Sequence, residues 1–108
     1  MIRTKEERLE IANTIIAQMG GVGKLKMFVG AHDFVYTESG VMFGYKGSTK
    51  SNKIVIDLTP MDLYDVKFFK INMRNIEKSL TPVDTIDGAY NDMLIDVFES
   101  QTGLFLHL

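Results

Sequence analysis

The chain has 108 residues, 45% of them apolar and 24% charged, with no cysteine and a formal net charge of −2. That length suits one domain whose core stands without disulfide or metal staples. The missing cysteines exclude disulfide frameworks, thiolate metal sites and cysteine nucleophiles, and so much apolar content excludes a disordered chain.

Residues 1–10 are charged and lack the apolar stretch of a secretory leader, and no apolar run is long enough to span a bilayer. The expected compartment is the cytoplasm of a host cell. Charge is unevenly distributed. Residues 1–53 carry eight Lys/Arg against five Asp/Glu, and residues 54–108 carry four against nine. Such asymmetry points to oppositely charged patches unless folding interleaves the halves.

The first predicted element is an amphipathic helix over residues 4–19. Leu9, Ala12, Ile16 and Met19 recur at helical spacing, with Ile11 and Ile15 on the flank. Glu6 and Glu7 suit its first turn, and Gly20-Gly21 supplies a left-handed stop. Residues 24–29 alternate as a strand would, Leu25, Met27 and Val29 on one face and Lys24, Lys26 and Phe28 on the other. A turn through Ala31, His32 and Asp33 leads to a short strand at 34–36. Val41, Phe43 and Tyr45 alternate in the next strand, residues 47–52 form a polar hairpin loop, and 53–58 is a further strand.

Thr59-Pro60-Met61-Asp62 carries a helix-start signature, predicting one helical turn that ends near Asp65. Residues 66–71 read as a strand and 73–80 as another. Phe68 and Phe69 must then point to opposite faces, so either both faces are covered or one aromatic is displayed. A last helix is predicted from Ile86 to Gln101, capped by Asp84 or Thr85. Its stripe is Tyr90, Met93, Leu94, Val97 and Phe98, and Gly103 stops it. The apolar residues 104–108 should pack on the domain. The fold class is therefore α+β: an N-terminal helix, an antiparallel meander of four to five strands and a C-terminal helix, in two layers over residues 1–108.

Few motifs carry chemistry. Gly20-Gly21-Val22-Gly23-Lys24 is not a phosphate loop, because it follows a helix and Leu25 stands where a magnesium-binding Ser or Thr belongs. The two histidines, His32 and His107, are too few for a zinc site without cysteine, and no nucleophile-elbow pattern accompanies any serine. Asp57, Asp62 and Asp65 lie close in sequence but lack the rhythm and glycine of a calcium loop. These features predict no cofactor, no metal and no enzymatic activity. A richer constellation is Lys24, Lys26, Lys46, Lys50 and Lys53 with Phe28, Phe34, Tyr36 and Tyr45, the cation and aromatic mixture of a sheet that binds single-stranded nucleic acid.

The segments Gly30-Ala31-His32-Asp33-Phe34, Asp62-Leu63-Tyr64-Asp65-Val66-Lys67-Phe68 and AYNDMLIDVFESQTGL (89–104) resemble a small family scattered through tailed phages, plasmids and gut metagenomes. The resemblance implies a mobile-element context and, by similarity to anti-CRISPR and other anti-defence proteins, a modulator of a host system. The leading expectation is a non-enzymatic binding protein that inhibits a host protein, such as a nucleic-acid-handling defence effector, by direct contact. Its expected contact residues are the acidic Asp57, Asp62 and Asp65 with the apolar Phe69, Ile95 and Phe105. The alternative is a nucleic-acid-binding accessory protein using Lys24, Lys26, Phe28, Lys46, Lys50 and Lys53 on one sheet face.

Overall fold

Residues 3–106 are described by a computed structural model. Helix α1 spans Lys5–Gln18 and begins where its local chemistry says it should. The Thr4 hydroxyl accepts from the Glu7 amide at 3.2 Å, and the Glu7 carboxylate accepts from the Thr4 amide at 3.4 Å. This reciprocal pair satisfies two amides the helix itself leaves free. Ala12 and Ile15 are its buried residues, with Met19 buried at its C-cap and Ile11 and Ile16 packed beside them.

Gly20 and Gly21 both take positive φ and end the helix, and a second helix follows at once. Residues expected as a strand form α2, Val22–Val29, closed by Gly30 in the left-handed conformation. Leu25 and Val29, four apart, are its buried pair, whereas Met27 is 72% exposed. The run supports a period of two and a period of 3.6 about equally, as short apolar runs do, and packing chose the helical one.

Five antiparallel strands follow in the order β1-β2-β3-β4-β5: β1 His32–Tyr36, β2 Gly40–Gly44, β3 Lys53–Leu58, β4 Tyr64–Phe69 and β5 Asp84–Ala89. The Thr59 signature is used differently from the expectation. Its hydroxyl does accept from the Met61 and Leu63 amides, but the segment is a tight β3–β4 turn with Asp62 at φ 60°, and Tyr64 already belongs to a strand. Residues 73–80 are not a strand either. They lie in an excursion between β4 and β5 that holds a single helical turn, α3, Ile76–Ser79, capped by Asn75.

The largest correction concerns the C-terminal third. Residues 84–89 are edge strand β5, a 3-10 turn follows at Asn91–Met93, and the helix, α4, is confined to Leu94–Thr102. Gly88 takes φ 73° in a bulge, and its amide donates to the Asp65 carboxylate at 3.0 Å. Leu94, Val97 and Phe98 are buried as expected, but Tyr90 and Met93 face solvent. Gly103 ends α4 in the left-handed conformation, and Leu106 is buried. His107 and Leu108 lie outside the described residues.

One face of the sheet carries Val41, Phe43, Ile54, Ile56, Tyr64, Val66 and Phe68, all buried, with α1 packed on β1 and β2 and α4 against β5. Tyr45 sits edge-on to Phe98 and Phe43, with ring centroids at 5.1 and 6.4 Å. The architecture is a two-layer α+β meander with one continuous core. Among the described residues no helix is long and apolar enough to cross a membrane.

Candidate functional site

Among the described residues the opposite face of the sheet is bordered by the excursion with α3 rather than packed under α1 or α4, and strand register sorts its residues into three rows. Residues directly paired on antiparallel strands project to the same side, so each row is a chain of neighbours. The first row runs His32, Gly44, Lys53, Phe69. The second runs Val35, Met42, Val55, Lys67, Thr85, and the third Gly40, Asp57, Asp65. The face thus carries Lys53 at one end and two aspartates at the other, and its middle row is apolar from Val35 to Val55 before turning polar at Lys67 and Thr85. Rows one and three stand four residues apart, roughly 13 Å along the strands.

A trough crosses the first two rows. One part, about 470 Å³, is lined by His32, Val35, Met42, Lys53 and Ile71 among others. An adjoining hollow of about 230 Å³ is lined by Met42, Val55, Phe69, Ile71 and Leu80. The two share Met42, Lys53 and Ile71, which makes them one continuous depression.

Both walls are held by specific contacts. On the β1 side, a bulge with Asp33 at φ 56° interrupts the pairing and re-aims the chain. The His32 ring lies over Gly44, so close that a Cβ there would sit 2.6 Å from Cε1. Its Nδ1 is 2.9 Å from the Asp33 carboxylate, so Nδ1 carries the proton of that contact and Nε2 is the ring's remaining polar atom. On the other side, the Asn52 side chain clasps the Ile71 backbone, donating to its carbonyl at 3.0 Å and accepting from its amide at 2.7 Å. Buried Ser79 ties the excursion together by accepting from the Asn72 amide at 2.7 Å.

Electrostatically, the trough holds unspent positive charge. Among the described residues Arg8 pairs with Glu38 and the His32 ring contacts Asp33, so neither Lys46 nor Lys53 has an acidic partner. At the acidic end, each carboxylate is engaged separately: the Ser39 hydroxyl donates to Asp57 at 2.9 Å, and Asp65 accepts from Gly88. Among the described residues no group of three or more His, Asp or Glu is placed to hold a metal ion. Burial pushes the Tyr45 hydroxyl up to about 12, partly offset by its hydrogen bond to Ser51, and burial also raises Tyr64.

The sequence candidates are partly assembled. Asp57 and Asp65 are cross-strand partners, with Asp62 in the turn between their strands. Phe69 shares their face at the far end of β4. Ile95 packs on the core from α4, and Phe105 follows that helix, so the six residues do not make one surface. The lysine and aromatic set is dispersed. Lys24, Lys26 and Phe28 are on α2 rather than on the sheet, and Lys50 is in the β2–β3 loop. Phe34 stacks on Phe43 and Tyr45 is buried, while Tyr36 pairs with Val41 on the covered side. Lys53 stands on the open face, and Lys46 lines its trough.

Met42, Val55, Ile71, Leu80 and the wall residue Asn52 were not singled out by sequence reasoning. A signal existed. The runs Val41-Met42-Phe43, Ile54-Val55-Ile56 and Phe68-Phe69 are apolar at outward as well as inward positions, which marks a sheet with apolar character on both faces. Comparison with protein-family models, curated proteins and solved structures finds no match to this chain.

Proposed function

We propose that this chain is a non-enzymatic binding protein that docks a partner protein on the uncovered face of its sheet. The observation that carries the reading is the apolar stretch Val35, Met42 and Val55 of the middle row, joined by Phe69 and still partly exposed beside the β4–β5 excursion while the other face is filled. An apolar patch of this kind, rimmed by charge, is the usual mark of an interaction site. The ends add orientation, since a cationic and an acidic row discriminate between two ways of laying a partner on the face. Together with the resemblance to mobile-element proteins, this favours a host protein as target and occlusion of its working surface as the mode of inhibition.

Affinity capture from bacterial lysate tests the reading, with wild type compared against Val55→Asp. Proteins retained by wild type and lost by the variant are the expected result. Identical captures from the two would overturn it. A second reading, single-strand nucleic-acid binding, draws on Lys46 and Lys53, but Phe69 is the aromatic left on that face to stack a base. Tight, salt-sensitive oligonucleotide binding lost in Lys53→Glu would favour it.

A further inference from the structure

We infer that the occupant of the trough is an extended peptide segment in which an acidic residue precedes or follows bulky apolar residues. This rests on the open face being the docking face. The trough reaches from β1 across β2 and β3 to β4, three strand spacings or roughly 14 Å, which an extended segment covers with about four residues.

Its two halves ask for different chemistry. The half nearest β1 is lined by Lys46, Lys53 and His32, with Asp33 already engaged by the imidazole. Two ammonium groups without acidic partners among the described residues suit a carboxylate, and a partly enclosed site strengthens that attraction over what open water allows. The half nearest the excursion is lined by Met42, Val55, Phe69 and Leu80 with Lys53 at its boundary. Flexible methionine and leucine side chains suit an aliphatic or aromatic side chain of variable shape. Asp57 and Asp65, one row beyond, repel a carboxylate laid the wrong way and so fix which side of the segment is acidic.

Selection from a displayed random-peptide library tests this with the intact chain. The expected yield is sequences with Asp or Glu within four residues of Leu, Ile, Phe or Met. A synthetic peptide from that pool should lose at least tenfold in affinity on the Lys46→Glu/Lys53→Glu double variant, and comparably on Val55→Asp. Leu80→Asp, at a position 74% exposed, makes the same test without touching the sheet. Peptides that lack acid, ignore the lysine variants and fail on Val55→Asp or Leu80→Asp would overturn the acidic assignment and leave the docking face standing. Peptides indifferent to all these variants, or no enrichment at all, would overturn both. A single-stranded oligonucleotide that binds more tightly than any selected peptide, and weakens in the lysine variant, would overturn the peptide in favour of nucleic acid.

Discussion

Phe68 and Phe69 are neighbours on one strand and live in different solvents. Phe68 faces the helices and has no exposed surface; Phe69 faces the trough and is half-buried. The same contrast runs through β3, where Ile54 and Ile56 are sealed and Val55 between them is not. The covered face contributes stability by removing apolar area from water. The open face gains less in that way, because Met42, Val55 and Phe69 each keep part of their surface in water. The two faces also differ in their polar groups: the covered side hides the Tyr45 hydroxyl against Ser51, whereas the open side displays lysines without partners.

The widest separation of the two faces should come from truncating the adjacent aromatics. Phe68→Ala is expected to cost about 3–5 kcal/mol in urea denaturation, as large core deletions do. Phe69→Ala should cost less, about 1–2 kcal/mol, because its site is already partly open to water. Equal losses would mean that the open face is part of the core.

Two glycines of β2 sharpen the comparison. At Gly40 an added Cβ would fall 1.7 Å from the Ile56 carbonyl oxygen, a backbone atom that cannot swing away. Gly40→Ala should therefore force β2 from β3 and cost about 1–3 kcal/mol by denaturant titration. Gly44→Ala meets the His32 ring, a side chain free to rotate, and should change stability by less than about 1 kcal/mol. Its signature is displacement of the His32 ring resonances in an NMR spectrum.

Alkaline titration addresses the covered side through Tyr45. The Tyr45 hydroxyl ionises near 10.0 when unfolded and at about 12 when folded, because burial disfavours the phenolate. The unfolded chain loses that proton first, so stability intact below pH 10 falls as pH rises towards 12, by about 1.4 kcal/mol per unit. Tyr45→Phe should lose about 1 kcal/mol at neutral pH by stranding the buried Ser51 hydroxyl, and should show a shallower alkaline decline in thermal melts. Smallest of all is Lys53→Glu. With no partner to lose, it should move stability by less than about 0.5 kcal/mol while weakening whatever binds the trough.

Much of the covered side was legible in the chain itself. The helix start at Thr4, the Gly20-Gly21 stop, the alternation of Val41, Phe43 and Tyr45, the β3 strand and the Gly103 stop all follow from signals acting within a few residues. The open side was legible only in part. Phe69 and Lys53 stand out in the sequence, but His32 looks like a turn residue there, and Ile71 and Leu80 meet the face only through an excursion whose path depends on Asn52 and Ser79.

The sequence by itself determined the α+β class, the first helix, the central strands and the pairing of opposite-facing aromatics, because periodicity and capping are local. Only the tertiary structure decided that 22–29 would be helix and 84–89 strand. In the first, Leu25 and Val29 fit a helical face against the core better than a strand. In the second, ladder bonds to β4 and a bulge at Gly88 outweighed an apolar spacing that also suited a helix. The trough was beyond local reading for the same reason: His32, Lys53 and Phe69 become neighbours through register, and register is settled by the burial of the opposite face.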